Sequence, residues 1–147
     1  MRRELAALVI LAACSREQAP TEGAAAERAI GGTPLASKPF FRIDAAPQPP
    51  CASGGTCEVR LRLTALGDYH VNPQYPFKFE GDPTPGFELD GTGTLALDDA
   101  RTATMTIRFR PAKAGKARLT GTFKLSVCTD DNCEIETPKI AFDVTAS

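Results

Sequence analysis

Tryptophan is absent from this 147-residue sequence, and histidine occurs once, as His70. A single imidazole excludes the paired histidines of an HExxH zinc helix. No Ser/His/Asp set and no phosphate-cradling glycine loop stands in its place, so hydrolase and nucleotide chemistry lack their residues. His70 itself, two positions before Asn72, reads as an exposed or hydrogen-bonded strand residue. Charge of one sign is also missing: 17 Lys and Arg face 18 Asp and Glu, for a net charge of −1. With no basic patch, nothing favours nucleic acid as a partner. Acidic residues do gather at Asp130, Asp131 and Glu134 around Asn132, but their spacing matches no calcium loop. They read as a solvated turn. No cofactor and no metal ion are expected. Nor does any apolar run approach the roughly 20 residues that a membrane-spanning helix needs.

The longest apolar run is Leu5–Ala13, preceded by Arg2, Arg3 and Glu4. Its length and charged start fit the apolar region of a secretory signal. It ends in "LAAC", Leu11 to Cys14, which resembles the bacterial lipobox. That resemblance implies a signal peptide over 1–13, cleavage before Cys14, and three acyl chains on Cys14. More than one buried chain anchors stably, at about 0.8 kcal/mol per CH₂. Ser15, rather than aspartate, follows the cysteine, which in Gram-negative lipoproteins implies export to the outer membrane, facing the periplasm. The partner expected first is therefore the membrane, through lipid on Cys14. Residues 14–39 are rich in Ala, Glu, Pro and Gly. They cannot bury enough apolar surface to offset their ordering entropy, and read as a disordered tether.

From Phe40 to Ser147 the hydrophobic period is two, the strand signal. Cys57, Val59, Leu61 and Leu63 share one face; so do Met105, Ile107 and Phe109, then Leu119, Phe123, Leu125 and Val127, then Ile140, Phe142 and Val144. "FFRIDA" alternates likewise, and "YHV", "FKF", "FEL" and "LAL" are shorter candidates. Turn signals separate these runs: "ALGD", "NPQYP", "EGDPTPG", "DGTG" and "PAKAG". No amphipathic helix is legible. One-sided alternation in seven to nine short strands predicts two antiparallel sheets face to face, an all-β immunoglobulin-like sandwich over 40–147.

Four cysteines remain once Cys14 is set aside, and in an exported chain they suggest two disulfides. A cross-sheet Cys57–Cys128 bond has the spacing found in antibody domains, but the tryptophan that packs on that bond is missing. Local pairs are favoured. Cys51 and Cys57 flank the flexible loop "ASGGT", and Cys128 and Cys133 flank "TDDN", suited to a hairpin turn. Parity adds that Cys57 faces inward with Val59. Cys128, even-numbered where Leu125 and Val127 are odd, should face outward and be open to attack.

"GDYHVNPQYPFKF" and "GTFKLSVCTDDNCEIETPKIAFDV" together resemble the N-terminal domain of the DsbD thiol:disulfide interchange family, over about residues 40–147. The resemblance implies an immunoglobulin-like periplasmic domain. It implies that Cys128 and Cys133 form a redox pair exchanging electrons with a thioredoxin-like or other periplasmic protein, Cys128 attacking and Cys133 resolving. Cys51–Cys57 would be a structural disulfide. Against an active pair stands the acidity of Asp130, Asp131, Glu134 and Glu136, which disfavours a thiolate. The alternative is a non-catalytic structural or binding lipoprotein stabilised by two disulfides, so the sequence leaves open whether the protein is an enzyme.

Overall fold

A computed structural model describes residues 33–147. The expected signal peptide, Cys14 and most of the tether lie outside the described residues. Those residues form ten strands and no helix. In chain order they are β1 (Ala36–Lys38), β2 (Phe41–Ala45), β3 (Cys57–Ala65), β4 (His70–Val71), β5 (Lys78–Gly81), β6 (Phe87–Leu97), β7 (Thr102–Pro111), β8 (Gly115–Cys128), β9 (Cys133–Glu136) and β10 (Lys139–Ala146).

All pairings are antiparallel, and they sort into two sheets. The first has the order β1-β2-β3-β7-β6. The second is built on β8, with β4 and β5 along one flank and β9 and β10 along the other. The order β2-β3-β7-β6 is the A-B-E-D sheet of a constant-type immunoglobulin domain, and the second sheet is its C-F-G sheet. Strand C is interrupted between β4 and β5, and strand G between β9 and β10. The chain is thus an all-β, immunoglobulin-like antiparallel sandwich.

The alternation dictates which side chains meet. Phe41, Ile43, Val59, Leu61, Leu63, Met105, Ile107 and Phe109 come from the first sheet. Phe79, Leu119, Phe123, Leu125, Val127, Ile140, Phe142 and Val144 come from the second, and all are buried in one core. Each fully buried side chain of this size contributes about 1.5–3 kcal/mol relative to leaving it in water. Gly121 on β8 pairs with Gly81 on β5. A methyl group on Gly121 would sit 2.5 Å from Phe79 Cζ, 2.6 Å from the Glu80 carbonyl oxygen and 2.8 Å from Gly81 Cα. Only a bare α-carbon lets β5 pass this close, and the passage lays the Phe79 ring toward Phe142, with centroids 5.7 Å apart.

Two boundaries differ from the sequence reading. The sheet begins at Ala36, ahead of Phe40, because the turn at 39–40 folds β1 back onto β2. "FEL" and "LAL" are not separate strands divided by a turn at "DGTG". They are one strand, β6, whose register against β7 shifts between Asp90 and Thr94. Gly91 and Gly93, at φ of 76° and 79°, absorb the extra residues in a bulge.

Candidate functional site: the disulfide hairpin

Both disulfides are local, Cys51–Cys57 and Cys128–Cys133, with Cα separations of 5.3 and 4.0 Å. The cross-sheet alternative is not used. Cys51 and Cys57 are both buried, Cys57 facing inward as its parity predicts. Their loop is pinned by Ser147, just after β10, and by the end of β7. The Ser53 amide donates to the Ser147 carbonyl, the Ser147 amide to the Cys51 carbonyl, and the Gly54 amide to the Pro111 carbonyl, each at 2.8 Å. Neither sulfur is presented to a partner, so this bridge staples the entry to β3.

The second bridge closes the β8–β9 hairpin. The Thr129 amide donates to the Asn132 carbonyl at 2.7 Å. That makes residues 129 and 132 a hydrogen-bonded pair, and puts Cys128 opposite Cys133 at the adjacent non-hydrogen-bonded site, where antiparallel strands approach most closely. Thr129 Oγ1 accepts from the amides of Asp131 at 3.4 Å and Asn132 at 3.1 Å. Asn132 Nδ2 donates to Glu134 Oε1 at 2.9 Å. The turn therefore holds its shape through bonds that do not pass through sulfur.

The expected accessibility of the two sulfurs is reversed. Cys128 is only 6 % exposed, whereas Cys133 is exposed. Alternation does set Ser126 and Cys128 against the core-facing Leu125 and Val127, but facing away from the core is not the same as facing water. β8 is the central strand of its sheet, and its end is flanked by β4 on one side and β9 on the other. Ser126 is fully buried for the same reason. Cys133 lies on an edge strand. Two residues along the same face is Ile135, 64 % exposed. Cys133, not Cys128, is the sulfur an incoming thiolate can reach.

The sequence reading missed the group on the other flank. His70 is the register partner of Cys128, so Cys128 lies between Cys133 and His70 in one row across three strands. The next row holds Asn72, Ser126 and Ile135; the Asn72 amide donates to the Ser126 carbonyl at 3.1 Å and its Nδ2 to Ser126 Oγ at 3.4 Å. His70 and Cys128 are 58 positions apart in the chain, and no local pattern could have joined them.

Three lysines pair with acids of this sheet. Lys124 bonds Glu80 at 2.9 Å, Lys139 bonds Asp82 at 3.2 Å, and Lys38 crosses from β1 to Glu136 at 2.6 Å. The Lys124 bond holds the Glu80 carboxyl below the usual glutamate range. Hydrogen bonds from Thr120 Oγ1, at 2.7 Å, and from Lys139 do the same for Asp82. At the opposite sheet, the Arg101 amide lowers Asp99. Glu136 is thus matched by a cation, while Asp130, Asp131 and Glu134 keep the hairpin tip acidic. Among the described residues, no group of three or more His, Cys, Asp or Glu is placed to hold a metal ion.

Fold and site together define an immunoglobulin-like sandwich carrying a half-exposed disulfide at the tip of its F–G hairpin. No protein-family model matches the chain, and no curated protein matches it. Among solved structures it is similar to the GAE domain of yeast GGA1, at 12 % identity and a TM-score of 0.48, covering 75 % of this chain and 96 % of that one. It is also similar to the ASH/PapD-like domain 7 of human CEP192, at 15 % identity and a TM-score of 0.35, covering 79 % and 92 % respectively.

Proposed function

We propose that this protein is a lipid-anchored envelope module for thiol–disulfide exchange, held at the outer membrane by Cys14 and acting toward the periplasm through Cys128 and Cys133. The observation that carries the reading is the asymmetry of the hairpin bridge: one sulfur is open at a sheet edge, its partner is buried, and the turn holds its shape by its own hydrogen bonds. Exchange needs one attackable sulfur and a scaffold that survives opening of the bond. The partner is a protein dithiol. Its thiolate attacks Cys133 Sγ, the 128–133 bond breaks, and its electron pair passes to Cys128. The partner's second thiolate then attacks the partner sulfur of the mixed disulfide and releases Cys133. The domain leaves as a dithiol with two electrons gained, and the partner as a disulfide. Run in reverse, the same steps pass the electrons on.

Capture of the mixed disulfide tests this. A Cys128→Ser variant of the full chain keeps the accessible sulfur and lacks the buried one, so it should trap an envelope protein through Cys133 that reductant releases. Cys133→Ser should trap nothing. A Cys128→Ser variant that accumulates no mixed disulfide in the envelope would remove the exchange reading.

A second reading has its own observation. Acids surround the hairpin, and Cys128 is buried, so a thiolate there is disfavoured. On that reading the bridge is a staple and the domain a non-catalytic binding module.

A further inference from the structure

We propose that His70 is the acid that delivers a proton to Cys128 when a thiolate opens the bridge at Cys133. The inference rests on the exchange reading above and adds a residue to it. The difficulty in that reaction is the leaving group. Rates of exchange depend on how well the displaced thiolate bears its charge. Cys128 is 6 % exposed, and burial penalises the charged form. The nearby acids increase the penalty, so a bare Cys128 thiolate is a poor departing group.

The remedy stands in the next strand. His70 is directly opposite Cys128 in the β4–β8 register. Residues so paired project to the same face, with β-carbons about 5 Å apart, a separation that an imidazole spans. His70 is half-buried, so it is open to water on one side and can regain its proton after each turnover. The charged groups about it come from four segments. Asp68 lies in the turn before β4. Asp99 and Arg101 lie in the turn whose Ala100 carbonyl accepts the Val71 amide at 2.9 Å. Asp130 and Asp131 lie at the hairpin tip, and Glu134 lies on β9. None of these groups is an imidazole, and Lys124 and Lys38 are bonded to Glu80 and Glu136. Imidazole is the side chain that most readily both gives and takes up a proton.

The attacking thiolate forms its bond to Cys133 Sγ, the Cys133–Cys128 bond breaks, and its electron pair goes to Cys128 Sγ. The imidazolium proton of His70 moves to that sulfur, leaving a thiol and a neutral imidazole. In the reverse direction the imidazole takes the proton back as Cys128 attacks.

The test uses the full chain in detergent and a neutral, low-pKa thiol, 2,2,2-trifluoroethanethiol. Opening of the 128–133 bridge is read by acid quench, alkylation and mass mapping, and each rate is divided by the thiolate concentration. The native protein should lose on the order of tenfold or more in this normalised rate from pH 5 to pH 8, the scale of a modest general-acid contribution. His70→Gln should be slow and flat across the range. His70→Lys, cationic throughout, should stay fast to pH 8, and it carries the test if the glutamine variant does not fold. Profiles of His70→Gln or His70→Lys that superpose on the native one would overturn the role of His70 while leaving exchange intact. A bridge that the thiol opens at no pH in the native protein would overturn the exchange reading, and this inference with it.

Discussion

An exchange domain must stay folded with its bridge open, and the structure sets how much the bridge contributes. Cys128 and Cys133 are five positions apart, so the bond closes a loop of about six residues. In the chain-entropy description, a loop of that size removes roughly 7 cal/mol/K from the unfolded chain, about 2 kcal/mol at 25 °C. Replacing both cysteines with alanine also withdraws one buried sulfur from packing, under about 1 kcal/mol. The double variant Cys128→Ala/Cys133→Ala should therefore lose about 2–3 kcal/mol, or on the order of 10 °C in melting temperature for a domain of this size. It should remain a cooperative β-sandwich, because the Thr129–Asn132 bonds and the core beneath β8 do not depend on sulfur. Urea unfolding followed by far-UV circular dichroism measures the difference. The matching pair Cys51→Ala/Cys57→Ala should lose more, since both of its side chains sit in the core and Ser147 and Pro111 are pinned to their loop. A hairpin variant that is unfolded in buffer, or loses more than about 5 kcal/mol, would refute this reasoning and with it the idea that the open form is a working state.

Gly121→Ala should destabilise by about 1–3 kcal/mol in urea, the usual cost of overpacking, because Glu80 and Gly81 backbone atoms must move; a neutral effect would mean that β5 does not ride on β8 as described. Glu80, Asp82 and Asp99 have carboxyls held below their ordinary values. A depressed carboxylate stabilises fully above its unfolded value of about 4 and loses that contribution as pH falls through its folded value. The urea midpoint should therefore hold from pH 7 to about 5 and decline below about 4, and Asp82→Asn should shift it down at pH 6; a midpoint that does not change down to pH 2 contradicts these bonds. Cys14→Ala should move the protein from the membrane fraction to the soluble fraction, and retention would place the anchor elsewhere.

The sandwich was legible because burial in an antiparallel sheet imposes a period of two, and every odd-numbered run in β3, β7 and β8 that alternation marked as internal is internal. The cysteine pairing was legible for a related reason: short polar loops bring their own ends together. What alternation cannot give is cover. It assigns Cys128 to one face of β8 and is silent on the strands beside it, so the sulfur that parity marks as open is the buried one. Register between distant strands is equally silent, and His70 is named as a lone polar residue until β4 is seen beside β8. Glycine pairs mislead in the other direction. "DGTG" carries the residues of a turn, yet the same left-handed backbone serves a bulge within one long strand.

The reduction potential of Cys128–Cys133 decides whether the edge-exposed hairpin disulfide is a working redox pair. Equilibrating the full chain with dithiol buffers of known potential, and scoring each pair by alkylation and mass mapping, measures both bridges in one experiment. A working pair at Cys128–Cys133 should have a value above about −300 mV, and the buried Cys51–Cys57 bridge a lower one, since structural disulfides lie below that mark. A Cys128–Cys133 potential below about −300 mV, equal to that of its buried counterpart, would contradict it and leave the hairpin bond a staple.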